Sequence, residues 1–173
     1  LLTLTRILLL PFFAAAVVYG EYRMALMIFI AAAVTDLLDW FVARITNQIT
    51  YFGRILDPVA DKFLLLTSFI LMSLYGMLPK WLAIIVISKD IIVVTGCVII
   101  YFVTHNLKIE PTFIGKIASA SQFFLIGLIL LFLNIDDSRQ VHWSLFVFVA
   151  SLTGASGLHY VYRGFKTAHI HQN

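Results

Sequence analysis

The sequence predicts an all-α integral membrane protein, with six transmembrane helices and a polar cavity that opens to the cytoplasmic side. Two observations lead to this fold class. Of the 173 residues, 61% are hydrophobic and only 12% are charged, and the mean hydropathy is strongly positive, which excludes a soluble domain of ordinary composition. The apolar residues also fall into stretches of about 20, the length of a membrane-spanning helix.

Five turns divide the chain into six predicted spans. Gly20 follows the first span, and a polar turn at 46–48 follows the second. Gly76 and Pro79 interrupt the chain after the third span, and Pro111 lies in the connector after the fourth. The spans cover residues 2–19, 23–45, 52–75, 81–104, 113–133 and 143–162, with a connector at 105–112, a loop at 134–142 and a tail at 163–173.

The distribution of positive charge predicts that both termini are cytoplasmic. Six spans place both termini on one face, together with the second and fourth turns. Short cytoplasmic loops carry an excess of Lys and Arg. Seven such residues lie on that face and three on the other: Arg6, Arg44, Arg54, Lys108, Lys116, Arg163 and Lys166, against Arg23, Lys80 and Arg139. Trp81 and Trp143 begin spans at the non-cytoplasmic face, where interfacial indole rings are common.

Composition also limits the partners of the chain. The net charge is only +3 and the Lys and Arg residues are scattered, so we expect membrane lipids and no nucleic acid as partners. The single cysteine excludes an internal disulfide. Residues 1–173 are expected to form a single domain, because the loops are short and no repeat occurs. We also expect residues before Leu1, because the sequence does not begin with methionine.

Four aspartates lie where hydropathy predicts membrane: Asp36, Asp39, Asp57 and Asp61. Placing a carboxylate inside the bilayer costs about 2.5–3.5 kcal/mol unless a partner or a cation neutralises it. The first two are three residues apart and the last two are four apart, so each pair shares one helical face. Because the second and third spans meet at the cytoplasmic turn, the pairs can face each other in an antiparallel hairpin.

Four converging carboxylates repel one another unless cations neutralise them. Two divalent ions supply the matching charge, and a ligand set of carboxylates alone favours Mg²⁺, Mn²⁺ or Ca²⁺. Two such ions commonly serve phosphoryl chemistry, in which a free carboxylate can deprotonate an attacking hydroxyl. Arg44 and Gly53 suit a phosphate in the same pocket.

Two other interpretations of the aspartates remain open. The acids could form structural ion pairs with Arg44, Arg54 and Lys62. They could also carry protons or cations in an ion-coupled transporter.

The stretch that contains the aspartates resembles the signature of the CDP-alcohol phosphotransferase family, also called CDP-alcohol phosphatidyltransferases. The family pattern is D-x-x-D-G-x-x-A-R, eight residues, and G-x-x-x-D-x-x-x-D. The chain reads Asp36-x-x-Asp39-Trp40-x-x-Ala43-Arg44, eight residues, and Gly53-x-x-x-Asp57-x-x-x-Asp61. Every fixed position matches except Trp40, where the family has glycine. The six-helix architecture of the family also fits the predicted spans.

The resemblance implies transfer of a phosphatidyl group from CDP-diacylglycerol to an alcohol with release of CMP, assisted by two divalent cations, Mg²⁺ or Mn²⁺. It implies that Asp36, Asp39 and Asp57 bind the metals, and that Asp61 completes the metal site and acts as the general base. Members of the family are often homodimers. The implied CDP-binding residues are Asp39, Trp40, Ala43, Arg44 and Gly53. An indole is far larger than glycine, so Trp40 could fill the nucleotide pocket, reshape it, or face lipid as an interfacial anchor. We expect a reshaped pocket, because the neighbouring Asp39 must face the site; an inactive lipid-binding relative is the alternative.

Lys89 and Lys116 are predicted to bind an anionic alcohol acceptor. Lys89 is the most deeply placed cation in the sequence, and a cationic subsite suits a phosphate-bearing alcohol. The alternative is that Lys89 pairs with Asp90 or extends to the interface.

Two subfamilies look most similar. Phosphatidylglycerophosphate synthases use glycerol 3-phosphate, and cardiolipin synthases use phosphatidylglycerol. The stretches at 87–94, 111–116 and 160–167 look somewhat like the second group. We favour glycerol 3-phosphate, the commoner bacterial role, and expect a bacterial inner membrane location.

Overall fold

The computed structural model describes six helices, and the described residues contain no strand, which confirms the all-α prediction. The helices are α1 (Leu2–Val18), α2 (Tyr22–Thr46), α3 (Tyr51–Leu74), α4 (Lys80–Thr104), α5 (Phe113–Ile135) and α6 (Trp143–Ile170). The structure describes the backbone of residues 2–46, 51–104, 113–135 and 141–170, and the side chains of residues 8–35, 62–96, 113–135 and 141–162. Each predicted span coincides with one helix.

Two helix ends differ from the prediction by more than one residue. α5 includes Asn134, which the sequence pattern assigns to the following loop. Its amide nitrogen donates to the carbonyl of Leu130 one turn earlier and to that of Tyr22, so the helix accommodates this polar side chain. α6 continues past residue 162 to Ile170. Hydropathy predicts which residues lie inside the membrane, not where a helix ends. Lysine and arginine favour helix formation, so a helix can continue beyond the membrane.

Two glycines end helices as the sequence predicts. Gly20 follows α1 and Gly76 follows α3, with φ of 76° and 74°. After α1, the amide of Glu21 donates to the carbonyl of Ala16 at 2.9 Å. After α3, the amide of Met77 donates to the carbonyl of Met72 at 2.8 Å. Both turns are Schellman caps, which favour glycine because only glycine adopts positive φ without strain.

One compact unit comprises Leu1–Met77 and Ile126–Val141. In it α1 packs against both α2 and α3. The ring centroids of Phe13 on α1 and Phe29 on α2 lie 6.1 Å apart. On α5, a Cβ at Gly127 would lie 3.6 Å from the Phe29 ring, so α5 approaches this contact closely. The core of the unit includes Phe13, Val17, Ala25, Phe29, Ala32, Leu64, Leu65, Phe69 and Met72.

The second compact unit comprises Leu78–Leu125 and His142–Asn173, and α4 packs against α6 within it. The rings of Trp81 and Trp143, which lie at the starts of these helices, have centroids 5.5 Å apart. Phe146 packs on Trp143 at 6.2 Å, edge to face. The starts of α4 and α6 therefore lie at the same end of the unit, as the predicted topology requires.

Five of the described polar side chains in the second unit are buried. Lys89 and Asp90 lie on α4, and Gln122 lies on α5. The Gln122 amide nitrogen donates to the Thr153 hydroxyl on α6 at 2.9 Å. Among the described residues, the Gln122 carbonyl oxygen and the Ser156 hydroxyl form no hydrogen bond. Polar side chains inside membrane helices join helices or mark functional sites.

The exterior of the described helices is largely apolar. Large side chains such as Phe12, Phe124 and Leu158 are exposed. Within the described side chains, Phe113–Ile135 and Trp143–Tyr162 are long and apolar enough to cross a membrane, and Leu8–Val18, Tyr22–Thr35 and Lys62–Leu74 are shorter apolar segments. An apolar exterior around an apolar core is typical of a protein that lies in lipid.

Candidate functional site

The four aspartates of the motif lie on two consecutive helices of the first unit. Asp36 and Asp39 are in the second half of α2, and Asp57 and Asp61 are in the first half of α3. Because both segments are helical, the spacing of three and of four residues places each pair on one helical face. Side-chain positions between residues 36 and 61 lie outside the described residues, so convergence of the four carboxylates remains a prediction.

The two pairs of aspartates lie at matching distances from the joined helix ends. At a rise of about 1.5 Å per residue, Asp39 lies about 10 Å and Asp36 about 15 Å before the end of α2. Asp57 lies about 9 Å and Asp61 about 15 Å after the start of α3. Only four residues join the two helices, a connection typical of antiparallel neighbours. In such a pair, Asp39 would be level with Asp57, and Asp36 with Asp61.

The remaining motif residues lie nearer the joined ends of the same helices. Trp40, Ala43 and Arg44 are in the last two turns of α2, and Gly53 is in the first turn of α3. Their side chains also lie outside the described residues. The residues proposed to bind phosphate, Arg44 and Gly53, are therefore nearer the turn than Asp36 and Asp61 are.

The donor set of the motif fits divalent cations. Its carboxylates supply hard oxygen ligands, which Mg²⁺ and Mn²⁺ prefer. Because the pairs lie at similar distances from the joined helix ends, an antiparallel arrangement of α2 and α3 would let each helix supply one carboxylate to each metal ion. Among the side chains that the structure describes, which exclude residues 36–61, no group of three or more His, Cys, Asp or Glu could hold a metal ion.

Lys89 and Lys116 belong to the second unit, on α4 and α5. The Lys89 ammonium nitrogen lies 3.1 Å from an Asp90 carboxylate oxygen, and both side chains are buried. The structure thus shows the ion pair that the sequence offered as an alternative for Lys89. Lys116 is exposed in the first turns of α5. Acceptor binding by either lysine stays a prediction.

The sequence gives little indication that Lys89 lies close to α6. A Cβ placed on Gly157 would lie 3.2 Å from Cγ of Lys89. Gly157 therefore borders the stem of this lysine, and the only signal in the sequence is a run of small residues at 154–157.

Comparison with known proteins agrees with the motif. A sequence model of the CDP-alcohol phosphatidyltransferase family matches residues 1–155. A CDP-diacylglycerol–glycerol-3-phosphate 3-phosphatidyltransferase of Shigella flexneri is 35% identical, over 93% of this chain and 91% of that protein. A probable phosphatidylglycerophosphate synthase of Mycobacterium tuberculosis is 31% identical, over 96% of this chain and 80% of that protein.

Eukaryotic relatives are longer than this chain. The human cardiolipin synthase (CMP-forming) is 30% identical over 98% of the chain, and the chain spans 62% of the length of that protein. The resemblance predicted from the aspartate motif is confirmed by a match that extends over most of the sequence. The chain belongs to the CDP-alcohol phosphatidyltransferase family.

Proposed function

We propose that the chain transfers a phosphatidyl group from CDP-diacylglycerol to glycerol 3-phosphate, forming phosphatidylglycerophosphate and releasing CMP. The observation that carries the proposal is that the two aspartate pairs lie at similar distances from the joined ends of α2 and α3, within the family signature. The name of the Shigella relative, which aligns with nearly the whole chain, supports the same donor and acceptor.

Asp36, Asp39, Asp57 and Asp61 would hold two divalent cations, Mg²⁺ or Mn²⁺. When bound, these ions offset charge on the phosphate oxygens and stabilise the leaving group. Arg44 would bind the donor phosphates, and Ala43 and Gly53 leave room for the cytidine diphosphate. The motif thus holds and orients the donor.

Asp61 would act as general base on the acceptor. The acceptor hydroxyl oxygen forms a bond to the phosphorus of the phosphatidyl group, and the bond from that phosphorus to the CMP oxygen breaks. Asp61 takes the hydroxyl proton, and CMP leaves with the bonding electron pair. Asp61 lies four residues farther than Asp57 from the start of α3, about 6 Å along the helix, which supports a role for it separate from that of the donor-binding residues near the turn.

The membrane arrangement forms part of the proposal. The six helices would all span a bacterial inner membrane, with both termini in the cytoplasm and the aspartates in a polar cavity open to that side. The apolar exterior of the described helices and the two helices long enough to cross support this arrangement. The chain would be a single domain and could pair as a homodimer, as members of the family often do.

Lys89 and Lys116 would bind the phosphate of the acceptor. A buried ion pair such as Lys89–Asp90 contributes little net stability, so function is the better reason for a lysine inside α4.

A second candidate function is cardiolipin synthesis, in which phosphatidylglycerol is the acceptor. The human cardiolipin synthase is 30% identical over 98% of the chain, which favours this second function.

Release of CMP from purified protein tests the proposal. CDP-diacylglycerol is supplied with glycerol 3-phosphate, phosphatidylglycerol, inositol or serine in parallel. We expect CMP only with glycerol 3-phosphate. CMP only with phosphatidylglycerol would select the second candidate, and activity with inositol or serine alone would exclude both. An ion-coupled transporter or an inactive lipid-binding relative would release no CMP with any acceptor.

Replacing Trp40 with glycine is expected to raise turnover with CDP-diacylglycerol. Overpacking a well-filled site costs about 1–3 kcal/mol, so relieving it should speed CMP release on the order of tenfold. Trp143→Phe, at the start of α6, is the matched control and should leave turnover unchanged. An unchanged or lower rate in Trp40→Gly would mean that the indole is compatible with catalysis.

A further inference from the structure

The position of Lys89 is set by contacts at both ends of its side chain. The residue is only 5% exposed, and its ammonium contacts the carboxylate of the next residue, Asp90. Consecutive residues leave a helix about 100° apart, so the two charges meet because the side chains turn towards each other.

Gly157 on α6 borders the stem of Lys89. A Cβ at this position would lie 3.2 Å from Cγ and 3.8 Å from Cβ of Lys89. The shorter distance is tighter than ordinary van der Waals contact, so a methyl group there would push the stem away by a few tenths of an ångström. The stem cannot yield freely, because the ammonium at its far end is held by Asp90.

We propose that Gly157 is a positioning residue, which sets the location of the Lys89 ammonium and through it the affinity for a phosphate-bearing acceptor. The proposal rests on the proposed function, in which Lys89 binds the acceptor phosphate. Asp90 fixes the charged end of the side chain, and Gly157 leaves the space for its stem. A charge-assisted contact with a phosphate depends on the location of the nitrogen, so a small displacement weakens it.

The test compares Gly157→Ala with a matched control on the same helix. Gly154 lies three residues earlier, and a Cβ there would meet nothing within 4 Å. Both substitutions add one methyl group to α6 and favour the helix equally. Steady-state CMP release gives kcat and KM for glycerol 3-phosphate and for CDP-diacylglycerol in each variant.

Gly157→Ala is expected to raise KM for glycerol 3-phosphate on the order of tenfold, with kcat and KM for CDP-diacylglycerol unchanged. Gly154→Ala should match the wild type in all these values. In a Lys89→Gln background, which keeps the Cβ and Cγ atoms beside Gly157 and removes the charge, Gly157→Ala should have no further effect on KM. Asp90→Asn, which releases the ammonium at its other end, should raise the same KM and serves if Gly157→Ala does not fold.

The outcomes separate the inference from the proposed function. If the wild type releases CMP with glycerol 3-phosphate but Gly157→Ala and Asp90→Asn leave KM unchanged, the positioning role is wrong and the proposed function stands. If Gly157→Ala lowers only thermal stability, the glycine has a packing role and the inference is wrong. If the wild type releases no CMP with glycerol 3-phosphate, the proposed function fails and the inference fails with it.

Discussion

Replacing Asp61 with asparagine is expected to lower kcat for CMP release by a factor of about 10²–10⁴. The amide keeps the size of the carboxyl group but cannot take the proton of the acceptor hydroxyl, and it supplies no negative charge to a bound cation. Initial rates with CDP-diacylglycerol and saturating glycerol 3-phosphate measure the change.

Glu21→Gln is the matched control for Asp61→Asn. It neutralises an exposed acid in the turn between α1 and α2, outside the motif, and should leave the rate unchanged. Size-exclusion chromatography and thermal unfolding of both variants distinguish lost chemistry from lost folding. A folded Asp61→Asn protein with the wild-type kcat would show that Asp61 is not the general base.

Removing divalent cations with a chelator is expected to lower CMP release on the order of a thousandfold or more. Bound metal ions supply several kcal/mol of charge stabilisation in phosphoryl transfer, and each 1.4 kcal/mol is about a tenfold change in rate. Adding Mg²⁺ or Mn²⁺ back should restore the rate. The measurement is CMP release as a function of free metal concentration.

Asp36→Asn connects this metal requirement to the motif. It should raise the Mn²⁺ concentration for half-maximal rate, and electron paramagnetic resonance of Mn²⁺ should report weaker binding without any need for turnover. The same resonance measurement on Glu21→Gln should match the wild type. CMP release that persists after chelation would contradict a metal site formed by the four aspartates.

Most of the helical architecture follows from hydropathy and two glycines. Six apolar stretches predict six helices, and Gly20 and Gly76 mark two of the turns because their caps need positive φ. The end of α6 could not be predicted in the same way. Charged and polar residues are frequent after 162; they argue against a position inside the membrane but not against a helix.

Sequence spacing predicts one part of the aspartate site, namely that the members of each pair lie on the same face of a helix. The helix ends add that Asp39 and Asp57, like Asp36 and Asp61, lie at similar distances from the joined ends of α2 and α3, which the motif alone does not give. The surroundings of Lys89 could not be predicted, because its contact with Gly157 joins residues 68 positions apart in the chain. The Gln122–Thr153 hydrogen bond was likewise missed, because two uncharged polar residues in apolar helices give no pairing signal.

The contact between Trp81 and Trp143 has a spectroscopic consequence. The chain has three tryptophans, and these two lie together at the start of α4 and α6. The third, Trp40, follows Asp39 within the motif. Replacing the pair with phenylalanine would therefore leave a single emitting indole beside the aspartates, so that quenching by Mn²⁺ or by a cytidine nucleotide could be followed without a label.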